Sequence, residues 1–97
     1  MNDMKDRLTV SFFSVERQFP EIECDSVQLP ISDNSKGEFS GSYGIRKGHA
    51  KAVFSLKAGK VVLTEKGKPV FSAAISEGFA TVENNSVCIT VTSMEER

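Results

Sequence analysis

The sequence predicts an all-β domain, built as an antiparallel sandwich or barrel. Apolar residues recur with a period of two along nearly the whole chain, and turn signals come roughly every 8 to 12 residues. No stretch carries the apolar stripe at i, i+3, i+4 and i+7 that is typical of an amphipathic helix. With 97 residues, 39% of them hydrophobic, the chain is long enough for one domain with a single core and too short for two.

The first two predicted strands precede the longest loop. Residues 8–12 alternate apolar side chains with hydroxyl side chains, which predicts a strand with one buried face. Residues 27–31 alternate in the same way, but they include Pro30, which has no N–H to donate. This strand is therefore expected to lie at a sheet edge or to end at the proline. Residues 32–42 are rich in Ser, Asp, Asn and Gly, which predicts an exposed loop.

Further strands are predicted after this loop from the same alternation. They cover residues 52–56, 61–63, 70–75, 79–83 and 87–91. Lys66-Gly67 and Asn84-Asn85 are predicted to form tight hairpin turns, because Gly and Asn accept positive φ angles at little cost.

The predicted domain spans residues 8–92. Residues 1–7 are polar with no apolar segment behind them, so they are expected to form a flexible N-terminal segment and not a signal peptide. Residues 93–97 are expected to form a C-terminal tail, or the start of a helix at Met94. No apolar run approaches the roughly 20 residues that span a bilayer.

Composition argues against several classes of function. The net charge is −1, so the molecule as a whole does not attract nucleic acid or a membrane surface. Catalysis would require His49, the single histidine, to act together with Ser42 or with a cysteine. Neither cysteine lies at a predicted helix start, where the pKa of its thiol would be lowered. Cys24 and Cys88 lack the paired spacing of metal ligands. They are expected to be ordinary reduced thiols, and the less favoured alternative is an incidental contact between the two. We expect no enzyme activity, no metal and no cofactor.

Basic residues form two local clusters. One contains Arg46, Lys47, His49 and Lys51, and the other contains Lys57, Lys60, Lys66 and Lys68. Nucleic-acid binding would require aromatic side chains interleaved with such clusters, so that bases can stack. The phenylalanines instead follow the strand alternation, which favours core packing. The clusters are therefore expected to be solvated or to face a protein partner.

Four motifs, in order and at compatible spacing, resemble the epsilon subunit of F-type ATP synthases. They are FSVERQF at residues 13–19, ECDSVQLP at 23–30, GIRKGHA at 44–50, and SEGFATV at 76–82 followed by NSV at 85–87. In GIRKGHA two glycines four residues apart precede the single histidine. The resemblance covers residues 8–91, nearly the whole chain. It implies a flattened antiparallel β-sandwich of about ten short strands.

The resemblance implies a mechanical role. Members of this family are non-catalytic subunits of the central stalk (rotor) of a proton- or sodium-translocating ATP synthase, and they couple the ring of c subunits to the gamma subunit. The implied contacts with gamma are Ser14, His49 and Phe54, with core packing an equal explanation for Phe54. The implied contacts with the c-ring are Glu38, Ser42 and Tyr43. The implied location is peripheral, at the cytoplasmic face of the cell membrane, with no lipid insertion, and the isolated chain is expected to be a monomer.

The sequence departs from the family pattern in three places. Lys47 and Lys51 stand where prolines usually flank the Gly-His pair. The loop before Gly44 is longer than usual, so either Glu38 or Ser42 corresponds to the loop glutamate of the family. The C-terminal helical hairpin, which inhibits ATP hydrolysis in the family and in some members binds ATP, is missing from these residues. The alternative interpretation is a free-standing β-sandwich that binds proteins and is unrelated to ATP synthase.

Overall fold

A computed structural model of the chain describes residues 7–15, 18–31 and 42–96, with the side chain of Ser42 left out. All regular elements in these residues are strands: β1 (Leu8–Ser14), β2 (Ile22–Cys24), β3 (Ser26–Pro30), β4 (Ser42–Arg46), β5 (Ala52–Leu56), β6 (Gly59–Glu65), β7 (Lys68–Ile75), β8 (Gly78–Glu83), β9 (Ser86–Val91) and β10 (Met94–Glu96). No helix that could cross a membrane occurs in the described ranges.

The strands form two five-stranded sheets that pack face to face. Sheet I has the order β2-β1-β9-β8-β5, and sheet II has the order β10-β7-β6-β3-β4. The predicted antiparallel sandwich is confirmed. One described pair, β1 with β9, is parallel and places Phe12 opposite Ile89. Parallel strands need a long crossover between them, and most of the chain separates these two.

One face of each sheet is buried against the other, as the alternation predicts. Leu8, Val10 and Phe12 of β1 are fully buried. The ring centroid of Phe12 lies 5.3 Å from that of Phe71 and 6.4 Å from that of Phe19. Phe12 therefore lies at the centre of an aromatic contact that joins sheet I to β7 of sheet II.

Both predicted hairpin turns are confirmed. Lys66 and Gly67, which join β6 to β7, have φ angles of 54° and 80°. Asn84 and Asn85, which join β8 to β9, have φ angles of 52° and 63°. Two successive positive φ angles match the twist of the flanking strands, which explains the choice of Gly and Asn at these turns.

Pro30 ends a strand that lies inside sheet II. Because β3 runs between β6 and β4, the edge placement is wrong, and the alternative that the strand ends at Pro30 is confirmed. Pairing with β6 stops at Gln28, opposite Val62, so no ladder bond with β6 is required of Pro30. A Cβ atom at Gly59 would lie 2.8 Å from Cβ of Pro30, so a residue without a side chain is needed where the chain passes the proline.

Strand β4 was not predicted from the alternation. Residues 42–46 form a strand in which Ile45 is fully buried and lies opposite Val27 of β3. The ECDSVQLP motif also divides into two strands, because the chain bends at Asp25 and passes from sheet I to sheet II.

The helix start expected at Met94 is wrong. Met94–Glu96 forms β10, which pairs antiparallel with β7 and places Met94 opposite Ile75. Met94 is half-buried and packs against the core, while Glu95 and Glu96 are exposed. The backbone groups at the free edge of β7 therefore find partners in this strand.

An ion pair joins the sheets beside the start of β1. Arg7 precedes β1 in sheet I, and its Nη2 atom donates a hydrogen bond of 2.6 Å to Oε1 of Glu65, the last residue of β6 in sheet II. Nη1 of Arg7 lies 3.7 Å from Oε1 of Glu23. The hydrogen bond to Glu65 raises the pKa of Arg7 above its ordinary value. The guanidinium therefore stays charged and ties the two sheets together at this end.

Candidate functional site

The structure brings Tyr43, His49 and Phe54 together at one edge of the sandwich. Tyr43 lies on β4 and Phe54 on β5, which are edge strands of sheet II and sheet I. The ring centroids of Tyr43 and Phe54 are 5.0 Å apart, and that of His49 lies 5.8 Å from Tyr43 and 5.9 Å from Phe54. All three side chains are half-buried. We call these three residues the aromatic cluster.

The turn before His49 explains how the histidine reaches this edge. Gly48 has a φ of +83°, which other residues adopt only with strain. Its N–H donates a hydrogen bond of 2.8 Å to Oδ1 of Asn85, in the β8–β9 turn. The N–H of His49 donates to the carbonyl of Arg46 over 3.2 Å and closes the turn. The turn that follows β4 is thus tied to the β8–β9 turn of sheet I, and it places the imidazole against Tyr43 and Phe54 of the two edge strands.

Both ring nitrogens of His49 are hydrogen-bonded. Nδ1 lies 2.7 Å from the carbonyl oxygen of Ala50, which can only accept, so Nδ1 carries a proton. In the neutral ring Nε2 then accepts from the hydroxyl of Tyr43, which is 3.0 Å away. In the charged ring Nε2 would donate to the same hydroxyl oxygen. The imidazole is fully engaged within the chain, so it holds the surface in shape and is not poised as a catalytic base.

The other predicted contact residues lie elsewhere or outside the described ranges. Ser14 ends β1, and β9 and β8 separate it from β5, a distance of about 14 Å at the usual strand spacing. It is therefore not part of the aromatic cluster. Glu38 lies outside the described residues. Ser42 begins β4 opposite Pro30. The choice between Glu38 and Ser42 as the counterpart of the loop glutamate stays a prediction.

Reactive side chains in the described ranges do not assemble into a site. No group of three or more His, Cys, Asp or Glu residues is placed there to hold a metal ion. Cys24 and Cys88 are both free thiols, the first fully buried and the second half-buried. Burial, assisted by the carboxylate of Asp25, raises the pKa of the Cys24 thiol to about 11. Cys24 is accordingly a poor nucleophile at neutral pH.

We expect a thiol-specific reagent at pH 8 to modify Cys88 and to leave Cys24 unreacted in the folded protein. With a pKa of about 11, only about one Cys24 thiol in a thousand is ionised at that pH, and none of its surface is exposed. Time-resolved mass spectrometry of the labelled peptides measures both rates. The control is Cys88→Ser, which should label only after denaturant is added. Rapid labelling of the native variant would contradict the placement of Cys24.

Three exposed hydrophobic residues were not identified from the sequence as functional. Phe13, Val53 and Phe79 are 41%, 72% and 47% exposed, and all point outward from sheet I. In the sequence, each of these three residues occupies an outward position of its strand, where the alternation predicts a polar residue. Their signal is therefore a break in the alternation: Phe13 follows Phe12, Val53 precedes Phe54, and Phe79 precedes Ala80.

Comparison with known proteins identifies relatives over nearly the whole chain. The family described as the β-sandwich domain of the ATP synthase delta/epsilon chain matches residues 7–97. The ATP synthase epsilon chain of Cyanothece sp. (strain PCC 7425 / ATCC 29141) is 33% identical over 88 residues, which cover 91% of this chain and 58% of the relative.

Solved structures with the same fold come from mitochondrial ATP synthases. A chain of the Euglena gracilis OSCP/F1/c-ring structure in rotational state 1 superposes with a TM-score of 0.78 at 18% identity, over 98% of this chain and 56% of that one. A chain of the Tetrahymena thermophila central stalk/c-ring structure gives 0.67 at 13% identity, over 95% and 68%. The chain thus spans somewhat over half the length of the first relatives. It belongs to the family of ATP synthase delta/epsilon chain β-sandwich domains.

Proposed function

We propose that this chain is a non-catalytic subunit of the central stalk of an F-type ATP synthase, where it couples the c-ring to the gamma subunit. Membership of the delta/epsilon family over residues 7–97 carries the proposal. The origin of the superposed chains, from OSCP/F1/c-ring and central stalk/c-ring structures, supports it. The coupling ion is a proton or sodium. The subunit is peripheral, at the cytoplasmic face of the cell membrane, and is a monomer when isolated.

The structure suits a part that transmits torque. Two five-stranded sheets enclose one packed core, and close-packed interiors deform little under load. The Arg7–Glu65 ion pair and the aromatic cluster join the sheets at separate places. A rotor part needs a fixed shape and needs no reactive group, in keeping with an imidazole that is engaged at both nitrogens.

The proposed contacts meet at the aromatic cluster. His49 and Phe54 are proposed to contact gamma, together with Ser14, and Tyr43 is proposed to contact the ring, together with Glu38 and Ser42. Because Tyr43 touches both His49 and Phe54, the gamma and c-ring contacts would adjoin at this edge of the sandwich. The protein partners would then bear on both sheets at once, which favours transmission of force without slippage.

Co-purification tests the proposal. The tagged chain is expressed with the gamma subunit of the same organism, and the eluate is examined by size exclusion and mass spectrometry. We expect a complex of one copy of each. Failure of the folded chain to bind gamma would contradict the proposal and favour a free-standing protein-binding module.

His49→Ala is expected to weaken binding to gamma by about tenfold, while it lowers the free energy of unfolding by only about 1 kcal/mol. The variant loses the hydrogen bonds to Tyr43 and Ala50 and releases the edge that faces the partner, whereas the half-buried Tyr43 hydroxyl can turn to water. Titration calorimetry and chemical denaturation measure the two effects.

Lys51→Ala is the matched control for His49→Ala, since Lys51 is exposed and its Nζ atom is 3.8 Å from Oε2 of Glu83. It should change both quantities little. Unchanged affinity in His49→Ala, or a loss of several kcal/mol of stability, would show that His49 serves the fold and not the contact.

A further inference from the structure

One side-chain hydrogen bond ties the segment that carries His49 to sheet I. This segment joins β4 of sheet II to β5 of sheet I, so it crosses between the two edge strands. Within it, the N–H of Gly48 donates a hydrogen bond of 2.8 Å to Oδ1 of Asn85, which is 37 residues away in the β8–β9 turn. An ion pair of 3.8 Å between Lys51 and Glu83 lies beside it, but both side chains are exposed and the pair contributes little.

The backbone of Asn85 is itself fixed by strand pairing. Its carbonyl oxygen accepts a hydrogen bond of 2.9 Å from the N–H of Thr9, where the parallel pairing of β1 with β9 begins. Glu83 lies opposite Ser86 and closes the turn that contains Asn85. The short side chain of Asn85 therefore presents its Oδ1 atom from a backbone that is held by β1, β8 and β9.

This hydrogen bond acts on the peptide group that decides the type of the turn before His49. The turn runs from Arg46 to His49 and is closed by the 3.2 Å bond between them. Gly48, its third residue, has a φ of +83°, whereas Lys47, its second, does not have a positive φ, and this combination is typical of a type II turn. In a type I turn the peptide between the second and third residues is flipped. Because Asn85 accepts from the N–H of that peptide, it favours the type II form.

The orientation of His49 depends on that form. His49 is the last residue of the turn, so a flip of the peptide before Gly48 would change the direction in which the chain continues toward β5. The Nε2 atom of His49 lies 3.0 Å from the hydroxyl of Tyr43, and a small rotation of the turn would break this hydrogen bond. Asn85 thus acts on the aromatic cluster without being a member of it.

We propose that Asn85 is a positioning residue, which holds the turn at residues 46–49 in the type II form and keeps His49 in the orientation that contacts gamma. The statement about gamma rests on the proposed function, whereas the statement about His49 does not. The β8–β9 hairpin needs only a residue that accepts a positive φ, and Gly would satisfy it. The hydrogen bond to Gly48 is what the Asn85 side chain adds to the turn.

The test compares the same substitution at the two residues of one turn. Asn85→Gly removes the acceptor and keeps the positive φ, and it is expected to weaken binding to gamma about fivefold, as the loss of one hydrogen bond predicts. Asn84→Gly is the matched control, because Asn84 is exposed and has a φ of 52°. It should bind within about 1.5-fold of wild type. Asn85→Asp keeps an oxygen acceptor and should restore most of the affinity. Circular dichroism melts confirm that the variants fold.

Nuclear magnetic resonance reports on the imidazole without any partner. The chain contains one histidine, so a ¹⁵N-labelled ring gives a single set of signals. We expect these signals to shift in Asn85→Gly and to stay in place in Asn84→Gly and Asn85→Asp. In gamma binding, Asn85→Gly should change the affinity by less than about 1.5-fold when His49→Ala is already present, because the residue that it positions is gone. Additive effects of the two substitutions would overturn the positioning role.

The outcomes separate this proposal from the proposed function. If the wild-type chain does not bind gamma, the proposed function fails, and the ring signals still decide whether Asn85 positions His49. If the ring signals of Asn85→Gly match those of wild type, the positioning role is overturned. If they shift while the affinity for gamma is unchanged, the link between Asn85 and gamma is overturned.

Discussion

Phe12→Ala is expected to lower the free energy of unfolding by about 3–5 kcal/mol. The Phe12 side chain is fully buried at the centre of β1. Its ring contacts Phe19 near β2 and Phe71 on β7, so the truncation removes contacts to both sheets and leaves a cavity between them. Backbone pairing on both sides of β1, with β2 and β9, limits collapse of the strand into that space.

Phe13→Ala is the matched control, because it removes the same ring from the next residue of the same strand. Phe13 points outward and is 41% exposed, so its loss should cost about 1 kcal/mol or less. Urea denaturation followed by circular dichroism measures both variants, since the chain contains no tryptophan. Equal losses in the two variants would contradict the assignment of Phe12 to the inner side and Phe13 to the outer side.

The core was predictable because burial in a sandwich follows the period of the strand. A one-residue shift would move every side chain to the opposite face, so the alternation in β1, β3 and β9 specifies which residues meet. Leu8, Val27 and Ile89 are all fully buried, as that alternation requires. The hairpin turns were predictable for a local reason, since positive φ angles favour Gly and Asn, which stand at Gly67, Asn84 and Asn85. Lys66 has a φ of 54° without this preference.

The strand pairings that the sequence did not predict depend on contacts between strands that are distant in sequence. The parallel pairing of β1 with β9 follows from the whole topology, and nothing in either strand specifies it. Met94–Glu96 has a composition that suits a helix start, yet the free edge of β7 recruits it as a strand. Short strands have little pattern of their own, so the neighbour decides their structure.

The candidate site was predictable only in part. Resemblance assigned His49 and Phe54 to one partner and Tyr43 to another, whereas the structure joins the three because β4 and β5 end the two sheets on the same side. Alternation assigns apolar residues to the core, so it does not predict that Phe13, Val53 and Phe79 lie exposed on the outward side of sheet I. An extra apolar residue at an outward position, such as Phe79, is the signal that finds such a surface.

Gly78→Ala is expected to lower the free energy of unfolding by about 3 kcal/mol or more, because β8 approaches β9 too closely for a side chain. A Cβ atom at Gly78 would lie 2.1 Å from the carbonyl oxygen of Thr90 and 2.9 Å from Cα of Val91. Both are backbone atoms, so relief requires the two strands to move apart where Gly78 pairs with Val91. Gly78 does not have a positive φ, so the expected loss of stability comes from the steric clash and not from backbone strain.

Gly44→Ala is the control for Gly78→Ala, since it makes the same change in a strand where an added Cβ meets no atom within 4 Å. Gly44 lies on β4 at the free edge of sheet II, and its substitution should change stability by less than about 1 kcal/mol in either direction. Chemical denaturation of the two variants gives the comparison. A Gly78→Ala protein as stable as Gly44→Ala would show that the strands are farther apart at Thr90 than the structure places them.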